Sequence, residues 1–381
     1  MKRAVLTGAG QYGRGVIGFL LEKAGYHVVF SDVNAAVIDD INRRKEYTVR
    51  RIGTEDSTYT VRNISAMRSG DPELIDEYAS CDLICTSVGL TALEKVAPFI
   101  ADGIRLRAAQ GKKEYLNILA CENGVGGSTR LKNCILGHLD EECAAYLEKY
   151  IGFPDCAIDG IIPPVKNSFP ADVVTETYYE WDALKSAFKG EIPQIDGLHA
   201  VDDLRPFLER KFFILNGPNA VTGALGWSKG YQTVQQSLAD EEIYETVWEM
   251  MREAGEMLCI RHGFSKEEMS GYRAFIMDRF LNPKVIDYNS RVAREPIRKL
   301  AENDRIVYAM NLCRDAGVET PAYYKGIAAV LRYDNPEDAQ SAELQKQIRA
   351  CGVRKTLENV SGIRADSKAA DEIEREYFLL K

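Results

Sequence analysis

Arg3-Ala4-Val5-Leu6-Thr7, then Gly8-Ala9-Gly10-Gln11-Tyr12-Gly13-Arg14-Gly15, then His27-Val28-Val29-Phe30-Ser31-Asp32 are the decisive pieces of residues 2–32. The first piece is an apolar strand, the second a glycine-rich turn, and the third a strand that closes on an acid. Between them, residues 16–24 carry an apolar helical pattern that stops at Gly25. Strand, turn, helix, strand and acid in that order form the unit by which a chain grips a dinucleotide. Gly8 makes the tight turn, Gly10 lets backbone approach the pyrophosphate, and Gly13 lets helix and strand pack closely. Asp32 stands nineteen residues after Gly13, where an acid hydrogen-bonds a ribose hydroxyl. A glycine turn that only lets a helix lie on a sheet is the competing reading. An acid at Asp32 would repel a 2′-phosphate, so NAD is expected over NADP, with Arg14 and Arg43 as the residues that speak the other way.

The chain has 381 residues, 45% apolar and 28% charged, which is ordinary globular composition with room for two domains. No apolar run approaches the roughly 20 residues that span a bilayer. A strand follows Met1 at once, so no cleavable leader is expected. The nine cysteines are scattered and form no CxxC pair. That pattern suits free thiols in a reducing cytosol and no bound metal. A net charge of −9 without a basic block argues against nucleic acid or an anionic membrane as partner.

Further along, strands and helices alternate, which predicts an α/β fold with a Rossmann-type, doubly wound parallel sheet. A helix is expected over Ala35–Arg44, and a small antiparallel excursion over residues 47–67. Residues 72–78 read as a helix, 82–88 as a buried strand, 91–110 as a long helix and 116–121 as another buried strand. Ligands in such sheets sit beyond the carboxyl ends of the strands. Gly8 to Gly15, Asp32, Val33, Ser87, Val88, Gly89, Glu122 and Asn123 should therefore converge on one edge. Pro163-Pro164 reads as a rigid bend, and residues 173–181 as an antiparallel strand. From about Leu204 the pattern is helical. The expected division is a dinucleotide-binding domain with an extension over residues 1–195, and a mainly helical substrate domain over 196–381.

The second domain must supply the reacting groups. Its most suggestive segment is Glu209-Arg210-Lys211-Phe212-Phe213-Ile214-Leu215-Asn216-Gly217-Pro218-Asn219. On a straight α-helix Lys211 sits at 0°, Asn219 near about 80° and Asn216 near about 140°, with Pro218 expected to kink or stop the helix. A lysine desolvated by Phe212 and Phe213 could take a hydroxyl proton, and amides beside it could stabilise the oxygen as charge develops. A solvated lysine before a helix-ending Asn-Gly turn is the bland alternative.

These stretches carry a resemblance. Gly8 to Gly18, Ser31-Asp32-Val33-Asn34, Thr86-Ser87-Val88-Gly89, Asn117 to Asn123, Phe188-Lys189-Gly190, Glu209 to Asn216, Arg291 to Leu300 and Asp304-Arg305 together resemble the mannitol-1-phosphate 5-dehydrogenases. These belong to the polyol-specific long-chain dehydrogenases, and the likeness runs essentially end to end. It implies a Rossmann domain joined to a helical one, NAD as cofactor, and reversible oxidation of mannitol 1-phosphate to fructose 6-phosphate. It implies Lys211 as general acid/base, Asn216 as oxyanion donor and Asn123 as a second amide near the reacting carbon. A cytoplasmic monomer or small homo-oligomer is the matching expectation. For the phosphate the chain offers Arg294, Arg298 and Lys299, which salt bridges to Glu295, Glu302 and Asp304 could equally occupy.

The chain departs from the family in two places. Asn219 stands where a histidine usually follows the motif asparagine by three residues, and Asp159-Gly160 stands where Asp-Arg is usual. A changed polar partner can alter discrimination by several kcal/mol. A same-fold dehydrogenase for another polyol, sugar acid or sugar conjugate therefore stays open, as does a non-catalytic NAD(H)-binding protein.

Overall fold

The computed structural model describes residues 2–53, 55–163 and 167–380. The chain divides into two compact units, residues 1–207 and 208–381. Pro164, second of the paired prolines, lies outside the described residues.

The first unit is built on six parallel strands: β1 (Arg3–Thr7), β2 (His27–Asp32), β5 (Ile64–Arg68), β6 (Leu83–Thr86), β7 (Leu116–Ala120) and β8 (Ile151–Gly152). Their order across the sheet is β5-β2-β1-β6-β7-β8, the doubly wound arrangement that reverses direction between β1 and β6. Register is set by pairs such as Val5 with Val29 and Ile84, and Ile84 with Ile118. Side chains of a strand alternate between faces. Ala4, Leu6, Val28, Phe30, Leu83, Cys85 and Leu119 pack into one core, while Val5, Val29, Ile84, Leu116 and Ile118 pack into another. Both faces are covered, which is why these strands read as continuous apolar runs. The helix Ala35–Arg44 occupies its expected residues, and Leu93–Ala109 follows a short turn at Leu90–Ala92.

Two small sheets complete the unit. One has the order β10-β3-β4, from Val173–Glu176, Tyr47–Ile52 and Ser57–Val61; the other β12-β11-β9, from Leu198–Val201, Glu180–Leu184 and Cys156–Asp159. They correct the sequence reading twice. Residues 47–67 are antiparallel only between β3 and β4, because β5 leaves the excursion to become the parallel edge strand beside β2. Residues 173–181 are not one antiparallel strand: β10 runs parallel to β3, and β11 pairs antiparallel with β9. Period-two patterning fixes which faces are buried and carries no information on the direction of the partner.

The second unit is helical. The helices Gly217–Ser228, Glu241–His262 and Pro321–Arg332 centre a single core that includes Val221, Met250, Met257, Ile327 and Leu331. Capping boxes at Thr233/Gln236 and Ser265/Glu268 start two of its helices. No helix of the described residues is long and apolar enough to cross a membrane. All nine cysteines are free thiols, five of them buried.

Candidate functional site

The expected convergence at the sheet edge is present in the first unit. Gly8 follows β1 with φ +101°, a conformation that favours glycine, and an added Cβ would strike the Ser87 carbonyl. A Cβ on Gly13 would strike the Gly8 carbonyl. A Cβ on Gly10 would meet nothing within 4 Å. Two glycines thus close the turn, and the middle one leaves exposed backbone that a ligand can approach.

Asp32 fixes this loop directly. One carboxylate oxygen accepts from the Ala9 amide at 2.6 Å and the other from the Asn34 amide at 2.8 Å. Roughly four lone-pair positions exist on a carboxylate, so capacity remains for a ligand hydroxyl. Val33, next in sequence, is 85% exposed, an apolar surface beside the loop for a flat ring to cover. Gln11 is exposed and Tyr12 half-buried, and the Tyr12 ring lies beside Gly160, whose added Cβ would come within 3.4 Å of it. The Gly160 departure therefore sits against the glycine loop.

Arg14 has a structural role. It is buried, and its guanidinium donates to the carbonyls of Ala9, Ala171 (2.8 Å) and Pro170 (3.2 Å). Desolvation draws its pKa below the usual arginine value, opposed by the fields of Tyr47 and nearby acids. Arg43 pairs with Asp40 at 2.5 Å. Neither is an idle guanidinium.

Glu122, at the carboxyl end of β7, is buried and accepts from Thr86 Oγ1 at 2.8 Å, Val88 N at 3.0 Å and Gly89 N at 2.6 Å. It clamps the Ser87–Val88–Gly89 turn beside Gly8. Asn123 follows it and is exposed.

In the second unit the helix around Lys211 differs from a straight α-helix. Lys211–Asn216 is a wide π turn, in which Gly217 N donates to Phe212 O five residues back, and an α-helix then continues over Gly217–Ser228. Pro218 neither stops nor ends it. Proline lacks an N–H and clashes with the carbonyl four residues earlier; widening the turn just before it removes that clash. A wider turn rotates less per residue, which brings Asn216 nearer the line of Lys211 than a straight helix would. The three side chains share a narrower arc than a straight helix would give. Lys211 is only 8% exposed. Asn216 Oδ1 and Asn219 Oδ1 are buried without a hydrogen-bond partner among the described residues. An unmet buried acceptor costs about 1–3 kcal/mol, which a ligand's hydroxyl donors would recover.

The basic segment is broken: Asn289–Ala293 ends before Arg294, Glu295 adopts φ 59°, and Pro296–Lys299 starts anew. Arg294 and Arg298 therefore do not lie four apart on one helix. Arg294 is exposed and carries no ion pair among the described residues, whereas Arg298 pairs with Glu295 at 2.8 Å and Asp304 at 3.7 Å. Lys299 is buried, with its ammonium on the carbonyls of Val292 (2.5 Å) and Arg294. Burial, then repulsion from Arg305 and Arg298, lowers its pKa to about 7. Arg305 was not singled out as a site residue. It pairs with Asp304 at 2.6 Å, lies over the Phe212 ring at 5.7 Å, and its carbonyl abuts Gly217. That joins the basic segment to the Lys211 turn; Asp304-Arg305 in the sequence was the only signal for it.

A mannitol dehydrogenase Rossmann-domain model matches residues 2–197, and a mannitol dehydrogenase C-terminal-domain model matches 203–379. The fold is similar to that of Pseudomonas fluorescens mannitol 2-dehydrogenase, solved as a ternary complex with NAD and D-mannitol: TM-score 0.77 at 17% identity, over 100% of this chain and 92% of that one. It is similar also to a D-sorbitol dehydrogenase solved substrate-free, with TM-score 0.82 at 15% identity over 99% and 92% of the two chains. A 2-dehydropantoate 2-reductase from Geobacter metallireducens GS-15 is more distant, with TM-score 0.52 at 16% identity over 86% and 98%.

Proposed function

This chain belongs to the mannitol dehydrogenase family, and from that membership we propose an NAD-dependent dehydrogenase that interconverts mannitol 1-phosphate and fructose 6-phosphate with Lys211 as general acid/base. The observation that carries the reading is the Lys211 turn: a buried lysine with two asparagines whose Oδ1 atoms lack partners among the described residues. A polyol is dense in hydroxyl donors, and amide O and N can exchange places by a flip. Asn216 and Asn219 can thus accept hydrogen bonds from hydroxyls or donate to an oxygen gaining charge. In the oxidative direction Lys211 takes the hydroxyl proton as the carbon gives up its hydride. NAD, when bound, accepts that hydride.

Gly8, Ala9, Gly10, Gln11, Tyr12 and Gly13 would hold the dinucleotide, with Asp32 at the ribose and Val33, Ser87 and Val88 along its edge. The commitment of Arg14 to three carbonyls favours NAD over NADP, since that guanidinium is occupied. Arg294, exposed and without an ion pair among the described residues, is the first candidate for a substrate phosphate. Arg298 and Lys299 would have to exchange present partners to join it. Asn123 would be the second amide.

The test is steady-state turnover of fructose 6-phosphate with NADH, against a panel of unphosphorylated ketoses and keto acids, in parent and Lys211→Ala. Turnover lost in the variant supports the base; a variant as active as the parent rejects it. Asn219 and Gly160 favour a second reading, the same chemistry on another polyol or sugar acid. No turnover of fructose 6-phosphate at millimolar concentration, with turnover elsewhere in the panel, would select it.

A further inference from the structure

Lys211 is preceded by two charged residues that are anchored in opposite ways. Glu209 is buried, and its Oε2 accepts from His262 Nε2 at 2.7 Å and Arg261 Nε at 3.0 Å. Those donors form the last two residues of the helix Glu241–His262, whose carboxyl end is closed by Gly263 at φ 74°. A helix carboxyl end favours cationic side chains, so the carboxylate meets two donors on ground suited to positive charge. Arg210 lies over the Tyr272 ring at 4.3 Å. Beyond the lysine, Phe212 lies under Arg305 and Phe213 packs edge-on to Tyr308 at 5.7 Å.

Glu209 and Lys211 are two residues apart, about 200° round a helix. The carboxylate and the amine therefore leave opposite sides of the backbone. A surface ion pair adds little to stability, but a buried carboxylate stripped of both donors is expensive to leave in place. The contact is therefore a rigid one, and it lies one step behind the wide turn that presents the lysine.

We propose that Glu209 is a positioning residue for the reaction: held by His262 and Arg261, it fixes the entry to the Lys211 turn and thereby the height and direction of the lysine side chain. It touches neither substrate nor cofactor in this role. The inference rests on Lys211 being the acid/base. Misplacing a reacting group by about 1 Å can cost on the order of 100-fold in rate, so losing the anchor falls on kcat and spares cofactor affinity.

The experiment compares Glu209→Ala, Glu209→Gln and Lys211→Ala, using whichever substrate the parent reduces with NADH. Glu209→Ala is expected to lower kcat about 10- to 100-fold with KM for NADH within about twofold, and to move the limb of the kcat–pH profile that Lys211→Ala abolishes. Glu209→Gln retains an amide oxygen for both donors and is expected to recover to within a few-fold of the parent with that limb restored. If Glu209→Ala does not fold, His262→Ala removes the shorter contact from the other side and should reproduce the kcat loss. A Glu209→Ala enzyme with parental kcat overturns the proposal. So does a Glu209→Gln enzyme as impaired as the alanine variant, or a loss shared equally by KM for NADH with the pH limb unmoved. Should Lys211→Ala keep full activity, the base assignment is what has failed; an inactive Lys211→Ala beside a normal Glu209→Ala overturns the positioning role alone.

Discussion

Replacing Glu122 by glutamine turns one carboxylate oxygen into an amide nitrogen at almost constant volume. In the parent, one oxygen accepts from Thr86 Oγ1 and Val88 N, and the other from Gly89 N. The amide has two ways to sit. With nitrogen on the Gly89 side, a donor faces a donor and that bond is lost; with nitrogen on the other side, Val88 N loses its acceptor while the Thr86 hydroxyl can turn to accept. Either way one charge-assisted bond goes, at about 1.5–3 kcal/mol, and the survivors weaken because the acceptor is no longer charged. The exposed Gly89 amide can reach water, which limits the penalty, so a total near 2–3 kcal/mol is expected. For a unit of this size that is a fall in Tm of about 5–10 °C. The Ser87–Gly89 turn abuts Gly8, so its loosening should weaken NADH binding by about tenfold, or about 1.4 kcal/mol. Differential scanning calorimetry and NADH fluorescence titration measure the two effects. Both must move together. An unchanged Tm beside weakened NADH binding would refute the clamp and make Glu122 a direct cofactor ligand.

Glu253 is fully buried and accepts from Ala322 N at 2.9 Å and Tyr323 N at 3.3 Å, while desolvation lifts its pKa to about 7. A raised carboxylate pKa gives stability that is complete below the ordinary value of 4.5 and lost as pH rises through 7. Urea unfolding at pH 5 and pH 8 should therefore differ by up to about 3 kcal/mol, and Glu253→Gln should flatten that difference; an equal slope in both proteins contradicts it. Gly13→Ala should abolish NADH binding in titrations because its Cβ meets the Gly8 carbonyl, whereas Gly10→Ala should fold normally, with Tm unchanged, and lose affinity only. Equal thermal damage from both would contradict the open position of Gly10. Asp32→Ala removes the acceptor for Ala9 N and should raise Kd for NADH by at least tenfold while narrowing its preference over NADPH; a preference unchanged in competition titrations speaks against the acid as the discriminator.

The sequence by itself determined the parallel sheet and most of its strands, because a strand buried on both faces must be apolar throughout, as Leu116 to Ala120 is. It determined the glycine loop too, since Gly8 takes a positive φ and Gly13 leaves no room for a Cβ beside the Gly8 carbonyl, while Gly10 keeps backbone open to a ligand. It named Lys211 and the asparagines by spacing and resemblance. Tertiary structure alone decided what partners do. The direction of β5 and β10 depended on which strands lay alongside them. That Arg14 donates to the Ala171 carbonyl and Glu122 accepts from the Val88 amide could not be read from the sequence, because those partners are distant in the chain. The wide turn at Lys211 is not what a straight-helix reading of the spacing gives, and Glu209 meets His262 from 53 residues away. Periodicity reports which side of an element is dry; hydrogen bonds between segments distant in the chain leave no period to read.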